Sequence, residues 1–485
     1  MISFRQLFLS AYPDYPSPES LPKVSVRGLE CDSRRVEKGF VFIAVRGAKL
    51  DGGAFIEDAS QRGASVVISE TPTQSRIPCV SVTDSRDALA RLAAVYYGHP
   101  SKNLKIAGVT GTNGKTTTTY LLEHILRKNG QKAGLIGTIH YRYPGVEMPA
   151  VETTPGPLKL QRIFSEMVEA GCRSVAMEVS SHALDQGRVA GVDFACAAFT
   201  NLTQDHLDHH GSMEAYFEAK AKLFRGLSSD AAAVLNADDA WAVKLIPLTK
   251  AHIVTYAIEK MADVRAEDLK LQKDSSEFIL AKNGKKIRIS LPLIGRHNVY
   301  NALAAIGMSE ALGVTEQNAA WALSDFPGVP GRLEAVRCGQ DFTVLIDFAH
   351  TPDGLENVLR ALSEHRQKRL LLVFGCGGDR DRSKRPKMAE IASRWADFVY
   401  VTSDNPRTED PRAIAEEVRA GFPSGFNRQT MVLDRRKAIR QALMDARDGD
   451  IVLLAGKGHE RTQILNDQVL PFNDREEAER VLNGR

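Results

Sequence analysis

The stretch of this 485-residue chain best suited to chemistry is a glycine-bearing turn at residues 111–117, Gly-Thr-Asn-Gly-Lys-Thr-Thr. An apolar run precedes it, and apolar residues at helical spacing follow it. Glycines let backbone N–H groups converge on an anion, and a helix N-terminus adds positive potential there. Lys115 can reach the outer phosphates of a nucleotide, and the Thr116 hydroxyl can bind magnesium. The turn predicts a nucleoside triphosphate site, although the general pattern requires glycine at position 109, where this chain has Val109 after Gly108.

Two further polar segments are candidates for metal or substrate contacts. Glu178 ends an apolar strand pattern, where a carboxylate can hold magnesium beside a phosphate loop. Taken alone, it is also compatible with a surface carboxylate at a strand end. Residues 205–210 contain three histidines and two aspartates, which fits a second cation or substrate site but equally a polar loop that caps a helix. The spacing is unlike that of a structural zinc site.

Three polar loops follow apolar runs near the C-terminus, at residues 375–382, 403–407 and 455–460. Loops that follow successive parallel strands lie on one edge of a sheet, where open α/β sheets bind ligands. Arg380 and Arg407 suit carboxylates, because a guanidinium matches a carboxylate with two hydrogen bonds. Asp404 and Glu460 would then receive an amine. These loops predict a site for a zwitterionic ligand such as an amino acid, although any one of them alone also fits a solvated loop.

The elements that must position these residues alternate between strand and helix patterns. From about residue 102 this alternation predicts an α/β fold with a mostly parallel sheet. Residues 263–294 read instead as hairpins around an Asn-Gly turn, and Pro- and Gly-rich residues near 326–332 mark a boundary. We expect three domains, at residues 1–100, 101–331 and 332–485. Residues 98–101 and 327–331 are candidate hinges between them.

Bulk composition places the chain among ordinary globular proteins. Apolar residues make up 43% and charged residues 25%, and 63 basic residues nearly balance 60 acidic ones. The net charge of +3 gives no reason to expect nucleic acid or a membrane surface as a partner. We expect no signal peptide and no membrane span. The six scattered cysteines indicate reduced thiols, so a cytoplasmic location is expected.

Several motifs together resemble the Mur ligases, the ATP-dependent amide-forming enzymes that build the peptidoglycan stem peptide and share a fold with folylpolyglutamate synthetase. The motifs occur in order along almost the whole chain: G-T-N-G-K-T-T at 111–117, E-V-S-S-H at 178–182, N-L-T-Q-D-H-L-D at 201–208, G-R-H-N at 295–298, G-R-L-E at 331–334 and D-F-A-H-T-P at 347–352. The phosphate loop of this family lacks the first glycine of the general pattern. The resemblance implies an N-terminal α/β substrate domain, a central P-loop mononucleotide-binding parallel sheet and a C-terminal Rossmann-like α/β domain.

Within the family, D-S-R at 32–34 and E-T-T-P at 152–155 resemble the branch that adds the third stem residue, and D-N-P-R at 404–407 resembles its diaminopimelate-adding members. The resemblance implies ligation of meso-2,6-diaminopimelate to UDP-N-acetylmuramoyl-L-alanyl-D-glutamate (UDP-MurNAc-L-Ala-D-Glu), with ATP as cosubstrate, two Mg²⁺ sites and a monomeric enzyme. The alternatives are a lysine-adding ligase, a folylpolyglutamate synthetase-like ligase, and an NTP-dependent regulatory protein without ligase activity. Residues 1–100 argue against the folylpolyglutamate enzyme, which lacks the uridine-binding unit.

The resemblance also assigns roles to individual residues. ATP would bind at Gly111, Thr112, Asn113, Gly114, Lys115, Thr116, Thr117, Asn298, Asn301 and Arg332. Magnesium would bind at Thr116, Glu178, His206 and Lys220, the last as N6-carboxylysine. His350 is placed near the transferred phosphate. The uridine nucleotide and its peptide would contact Cys31, Ser33, residues 48–50, Thr153, Thr154, Ser180, Gln186 and Arg188. Diaminopimelate would contact Arg380, Asp404, Asn405, Pro406, Arg407, Gly456 and Glu460.

Overall fold

A computed structural model of the chain describes residues 2–47, 50–72, 75–364 and 366–484. Within these ranges the chain forms consecutive α/β units around three main sheets, as the alternating pattern predicts. None of the helices in these ranges is both long and apolar enough to cross a membrane. All six cysteines are free thiols.

The N-terminal unit is a small α/β unit. Its elements are β1 (Ile2–Ser3), α1 (Phe4–Ala11), β2 (Ser25–Val26), β3 (Gly28–Glu30), β4 (Phe40–Ile43), α2 (Ile56–Gln61), β5 (Val66–Ser69), β6 (Cys79–Ser81) and α3 (Ser85–Tyr96). Strands β3 to β6 form a parallel sheet in that order, and β1 pairs with β2. Phe8, Val41 and Leu92 are fully buried between this sheet and its helices.

The central unit contains the longest sheet. Its strands are β7 (Lys105–Thr110), β8 (Ala133–Ile136), β9 (His140–Tyr143), β10 (Val146–Pro149), β11 (Ser174–Glu178), β12 (Phe194–Phe199), β13 (Ala232–Asn236), β14 (His252–Ala257), β15 (Val264–Leu271), β16 (Ser276–Lys282) and β17 (Lys285–Leu291). Its helices are α4 (Lys115–Lys128), α5 (Pro157–Glu169), α6 (Ser181–Asp185), α7 (Leu207–His210), α8 (Met213–Arg225), α9 (Ala240–Val243), α10 (Arg296–Ala311) and α11 (Glu316–Leu323).

The strand order of this sheet is β10-β9-β8-β11-β7-β12-β13-β14-β15-β16-β17. The middle strands are parallel, while the hairpins β9–β10 and β16–β17 extend the two edges. Helices α4 and α10 cover one face, and α5 and α8 cover the other. Strand β7 is buried on both faces beyond Lys105, which explains its continuous apolar run. The phosphate-loop candidate therefore leaves the middle of the sheet at its carboxyl edge.

The C-terminal unit has a sheet of its own. Its elements are β18 (Glu334–Val336), β19 (Thr343–Asp347), α12 (Pro352–Ser363), β20 (Leu370–Phe374), α13 (Lys384–Trp395), β21 (Phe398–Val401), α14 (Pro411–Arg419), β22 (Gln429–Met431), α15 (Arg435–Asp445), β23 (Ile451–Ala455), β24 (Thr462–Leu465), β25 (Gln468–Pro471) and α16 (Asp474–Asn483). The order is β18-β19-β23-β20-β21-β22, and only β18 of these strands runs antiparallel to its neighbour. Because β23, β20 and β21 are neighbours, the three polar loops that follow them share one edge, as predicted.

The structure departs from the sequence-based prediction in several places. The hairpins β9–β10 and β24–β25 were not predicted, because their strands are only four residues long and carry little alternation. The segment predicted as a linker at 98–101 is packed: Pro100 and Ser101 are buried in a short 3₁₀ turn against α5. The domain boundaries at 100/101 and 331/332 stay predictions.

Candidate active site

The predicted phosphate loop is a tight turn between β7 and α4. Gly111 and Gly114 have φ values of 148° and 88°. A Cβ on Gly111 would lie 1.9 Å from Thr200 Oγ1, and one on Gly114 would lie 2.3 Å from Asn301 Oδ1. Both positions therefore need glycine for conformation and for space. Gly108 belongs to β7 rather than to the turn, and a Cβ there would lie 2.9 Å from the Phe194 ring, so it serves strand packing.

The loop opens into a cavity of about 690 Å³ that the central and C-terminal units share. It is lined by Asn113, Lys115, Thr116, Glu178, His206, Asn298, Asn301, Arg332, His350, Arg380, Asp404, Asn405, Arg407, Gly456 and Glu460 among others. The structure thus brings most of the residues predicted for ATP, magnesium and the amino acid to one enclosed space. Lys220 and Pro406 do not line it, and Cys31 and Ser33 lie in the N-terminal unit away from its walls.

Two lysine ammonium groups meet at the carbonyl oxygen of Gly111. Lys115 Nζ donates to Gly111 O at 3.0 Å and to Thr112 O at 2.9 Å. Lys220 Nζ donates to the same Gly111 oxygen at 2.8 Å. Burial lowers the pKa of Lys115, and the Glu178 carboxylate opposes that change. An incoming polyphosphate would supply the anionic partner that Lys115 lacks.

Lys220 is almost completely buried, with 1% of its surface exposed. Of the carboxylates that the structure describes, none lies within ion-pair distance of its Nζ, which instead sits 4.4 Å from the Tyr216 ring centroid. Burial, followed by the nearby Lys115 charge, lowers the pKa of Lys220 well below its ordinary value. The lowered pKa favours the neutral, nucleophilic amine, which is the form that reacts with CO₂ to give a carbamate.

Thr116 and Glu178 are already held by neighbours. Arg332 Nη2 donates to Thr116 Oγ1 at 3.1 Å, and the Arg332 guanidinium stacks 4.6 Å from the Phe348 ring centroid. Glu178 is fully buried and accepts hydrogen bonds from Thr138 N at 2.8 Å and Thr138 Oγ1 at 3.0 Å. Within the described ranges, no cluster of three His, Cys, Asp or Glu side chains is arranged to hold a metal unaided. This hydroxyl and carboxylate fit Mg²⁺, which takes one or two protein oxygens and completes its shell with phosphate and water.

Asp205 joins the histidines of the two units. Its Oδ2 lies 3.5 Å from His206 Nε2 and 3.9 Å from His350 Nε2, and its Oδ1 lies 3.6 Å from Lys384 Nζ. Although burial raises the pKa of Asp205, the nearby Lys384 charge pulls it well below its ordinary range. Burial lowers the pKa of His206 to about 3 and that of His350 to about 4. Both imidazoles are neutral near pH 7 and can offer a lone pair to a cation or accept a proton.

The end of the cavity predicted to hold the nucleoside lies between α10 and α12. Asn301 Nδ2 donates to Asn298 Oδ1 at 3.1 Å, which places the two predicted amides side by side beneath the loop. From the C-terminal unit, Asp353 Oδ2 accepts a 2.7 Å hydrogen bond from Asn113 Nδ2. Asp353 thus touches the phosphate loop directly.

The residues predicted to contact the dipeptide form one connected set beside Glu178. Thr154 Oγ1 donates to Glu178 O at 2.9 Å and accepts from Ser180 N at 3.1 Å. Arg188 donates to Thr154 O at 2.9 Å and to Gln186 Oε1 at 2.9 Å. Thr153 Oγ1 lies 3.1 Å from Thr138 Oγ1, on the cavity wall. Cys31, an exposed thiol, and Ser33 lie in the N-terminal unit; positions 48 and 49 lie outside the described residues.

The predicted amino-acid site occupies the edge formed by the loops after β20, β21 and β23. Arg407 has a left-handed backbone (φ 50°) and donates from Nη1 to Gly378 O at 2.7 Å. Burial, and then the neighbouring Arg380 charge, lower the pKa of Arg407. Asn405 Nδ2 donates to Glu460 Oε2 at 2.8 Å, and a Cβ on Gly456 would lie 2.7 Å from Asp404 Oδ2. Two guanidinium groups and two carboxylates therefore face one pocket, while Pro406 contacts the Gly378 backbone behind it.

Sequence reasoning did not single out four charged residues that the structure places at this site, although Asp205 and Lys457 lie in segments that it named. Asp205 and Lys384 connect the two units, Asp353 reaches the phosphate loop, and Lys457 is buried under the amino-acid site. Asp205 lies in the acid- and histidine-rich segment, which was a usable signal. Asp353 and Lys384 gain their partners through contacts between distant parts of the chain, which residue spacing does not indicate. Lys457 pairs with Glu460 three residues further along and with the distant Asn405.

Family models match three successive parts of the chain: the Mur ligase family catalytic domain at residues 25–97, the Mur ligase middle domain at 109–309 and the Mur ligase glutamate ligase domain at 331–458. A relative from Geobacillus kaustophilus named UDP-N-acetylmuramoyl-L-alanyl-D-glutamate–2,6-diaminopimelate ligase is 47% identical over 463 residues, covering 94% of this chain and 95% of the relative. A relative of the same name from Gloeobacter violaceus is 46% identical over 470 residues and covers 96% of each chain.

Solved structures agree at the level of the fold. One described as a UDP-N-acetylmuramoyl-L-alanyl-D-glutamate–2,6-diaminopimelate ligase has a TM-score of 0.70 and 35% identity, and the match covers 100% of this chain and 99% of that one. A MurF ligase from Thermotoga maritima in complex with ADP has a TM-score of 0.67 and 21% identity, covering 95% and 98%. The second likeness is one of fold alone.

Proposed function

We propose that this chain joins meso-2,6-diaminopimelate to UDP-MurNAc-L-Ala-D-Glu during peptidoglycan precursor synthesis, because it belongs to the Mur ligase family of ATP-dependent ligases. One observation carries the proposal. A single cavity has a phosphate loop at one end and, at the other, two guanidinium groups facing two carboxylates. The first arrangement suits ATP and the second suits an amino acid that bears two carboxylates and two amines.

The first chemical step activates a carboxylate. A carboxylate oxygen of the terminal D-glutamate residue attacks the γ-phosphorus of ATP, the bond to the β-phosphate oxygen breaks, and ADP leaves an acyl phosphate behind. Lys115 and the N–H groups of the loop neutralise charge that develops on the transferred phosphoryl group. Thr116, Glu178, His206 and carbamylated Lys220 would hold two Mg²⁺ ions. Bound there, Mg²⁺ supplies additional positive charge to the phosphate oxygens.

The second step forms the amide. The neutral amine of diaminopimelate attacks the acyl carbon, and the tetrahedral intermediate collapses with loss of inorganic phosphate and of the amine proton. Asp205 orients His350 and His206 at the junction of the two units. His350 Nδ1 lies 2.8 Å from Phe348 O, which leaves the Nε2 lone pair to accept that proton.

Lys220 fits the proposed carbamate through its surroundings. Its neutral amine attacks the carbon of CO₂ and loses a proton, so a cation becomes an anionic oxygen ligand. The carbamate would place that negative charge near Lys115 and the loop, where the described residues provide Lys220 with no carboxylate partner. An unmodified ammonium at this position could not bind Mg²⁺.

The charges at the amino-acid site favour diaminopimelate over lysine. Diaminopimelate carries a second carboxylate that lysine lacks, and Arg407 beside Arg380 is a half-buried cation in need of an anion. Lysine would leave one guanidinium unpaired in a closed site, which costs free energy. Because one chain lines the whole cavity, we propose a monomer as the active unit, and its use of ATP and a UDP-sugar is consistent with the cytoplasm.

An oxygen-18 transfer experiment tests the acyl phosphate. The UDP-MurNAc-dipeptide is labelled in the terminal carboxylate and incubated with ATP and diaminopimelate, and the released phosphate is analysed by mass spectrometry. The proposal predicts that each phosphate carries one label from the carboxylate. Phosphate without label would show that ATP is hydrolysed by water and would contradict the mechanism.

A further inference from the structure

A buried lysine, Lys457, lies beneath the predicted amino-acid site. Lys457 lies in the loop after β23, and its side chain is fully buried. Lys457 Nζ donates to Glu460 Oε2 at 2.7 Å and to Asn405 Oδ1 at 3.1 Å. Because Asn405 Nδ2 donates to the same Glu460 oxygen, two buried groups hold one oxygen of this carboxylate. The other oxygen, Oε1, accepts no hydrogen bond from the described residues and remains available to a ligand.

The charges around Glu460 make its contact with Lys457 important. Glu460 is close to the Asp404 carboxylate, and burial together with Asp404 raises the pKa of Glu460, whereas Lys457 opposes the change. The nearby Arg435 is already paired with Asp474 through hydrogen bonds of 2.8 and 2.7 Å. Among the cations that the structure describes, Lys457 is the one within ion-pair distance of Glu460. Without it, two carboxylates would stand together in a buried site, and one would take up a proton.

We propose that Lys457 is a positioning residue for the amino-acid substrate, holding Glu460 as a fixed carboxylate whose free oxygen accepts the ammonium group of diaminopimelate. The inference rests on the proposed function. Lys457 does not line the cavity, so it acts through Glu460 and Asn405 rather than through contact with the ligand. Its loss should weaken capture of the amino acid and leave the phosphate loop, at the other end of the cavity, unaffected.

The first test is Lys457→Met, which keeps the length of the side chain and removes its charge. The expected result is a KM for diaminopimelate raised about 10- to 100-fold, the cost of a lost charge-assisted hydrogen bond, with the KM for ATP unchanged. Lys282→Met is a matched control, because Lys282 is also buried and paired, with Glu310 at 2.6 Å, on a strand of the central sheet. An equal rise in both KM values for Lys457→Met would overturn the proposal.

A double variant separates positioning from general disruption. If Lys457 acts through Glu460, Lys457→Met combined with Glu460→Gln should bind diaminopimelate no more weakly than Glu460→Gln alone. If the double variant instead binds diaminopimelate more weakly by the product of the two single effects, Lys457 acts by a route other than Glu460, which would contradict the inference.

The pH profile is a further readout that a purely structural lysine would not move. Loss of the cation raises the pKa of Glu460, so the acid limb of kcat/KM for diaminopimelate should move to higher pH in Lys457→Met. An acid limb that does not move counts against the proposal.

Should Lys457→Met fail to fold, Lys457→Gln gives the same test, because it retains a donor and removes the charge. If the wild-type enzyme does not use diaminopimelate, the proposed function itself fails; if it does and the limb is unmoved, only the role of Lys457 fails.

Discussion

At the scale of single residues, we expect Arg407 to determine which amino acid the site accepts. Its guanidinium lies beside Arg380 in a half-buried position and needs an anionic partner. We expect Arg407→Ala to raise the KM for diaminopimelate about 100-fold, because a bidentate contact with a carboxylate is lost. The preference for diaminopimelate over lysine should decrease as well. Steady-state kinetics with both amino acids measure the effect. Arg412→Ala, at an exposed position at the start of α14, is the control and should change neither constant.

Residue types and spacing predicted the nucleotide loop, Glu178 and the charged C-terminal loops, because each follows a strand and carries its own local signature. Residue types and spacing could not predict which side chains pair with each other. Lys384 and Lys457 are buried at this site and Asp353 is partly buried, which their positions in the sequence do not indicate. Asp353 and Lys384 find their partners in the central unit, and Lys457 contacts Asn405 of another loop as well as Glu460 of its own, so the fold has to be known first. Family resemblance supplied the role of Lys220, which residue chemistry alone would never suggest.

At the scale of elements, the loop after β20 is held by a charged cluster on α13 and α14. The buried Arg385 donates to both oxygens of Glu409, at 2.8 and 2.9 Å, and Glu409 also accepts from Asp379 N at 2.6 Å. Hydrogen bonding to Arg385 lowers the pKa of Glu409 to about 2 from its ordinary 4.5. The folded state therefore binds this proton less readily than the unfolded state, and the carboxylate stabilises the fold at neutral pH.

Glu409→Gln should lower the free energy of unfolding at pH 7 by about 2 kcal/mol, since Arg385 keeps Glu417 as a second partner. The stabilising contribution is complete above about pH 4.5 and is lost as pH falls through the folded-state pKa near 2. The difference in free energy of unfolding between wild type and variant should consequently decrease as the pH falls through that range. Urea unfolding at several pH values measures it, with the exposed Glu416→Gln as control. A difference that does not vary with pH would contradict this explanation.

Strand and helix patterns predicted the main elements well, because long buried strands and amphipathic helices have strong periodicity. Strand β7 and helix α4, on either side of the predicted turn, are examples. The short hairpin β24–β25 escaped prediction, although it matters for the site: Arg407 N donates to Ile464 O at 3.1 Å, which helps to hold the left-handed backbone of Arg407. A hairpin of this length depends on tertiary contacts for its stability, and sequence periodicity does not report those.

At the scale of the whole molecule, the site requires the central and C-terminal units to meet, and Gly331 lies where they join. A Cβ at this position would lie 2.1 Å from His459 N and 2.5 Å from Gly458 C, and the backbone there has φ 67°. Because both neighbours are backbone atoms of the loop that carries Glu460, a side chain would push the amino-acid site away from the phosphate loop. We expect Gly331→Ala to lower kcat for ligation at least tenfold while ATP still binds.

Gly328→Ala is the matched control for this change. It also has a positive φ, of 91°, but no atom of the described residues lies within 4 Å of its Cβ position. Both variants carry the same kind of backbone cost, and only Gly331→Ala displaces a neighbouring loop. Equal activity losses in the two variants would show that backbone strain, rather than the junction of the two units, is responsible.

A single product assay decides whether one cavity couples ATP to the capture of diaminopimelate. The purified protein is incubated with ATP, Mg²⁺, UDP-MurNAc-L-Ala-D-Glu and either diaminopimelate or lysine, while ADP, phosphate and the UDP-linked peptide are quantified together. The predicted result is equimolar ADP, phosphate and tripeptide only when all substrates are present, with diaminopimelate incorporated faster than lysine. Phosphate release without peptide product, or lysine used faster than diaminopimelate, would contradict it.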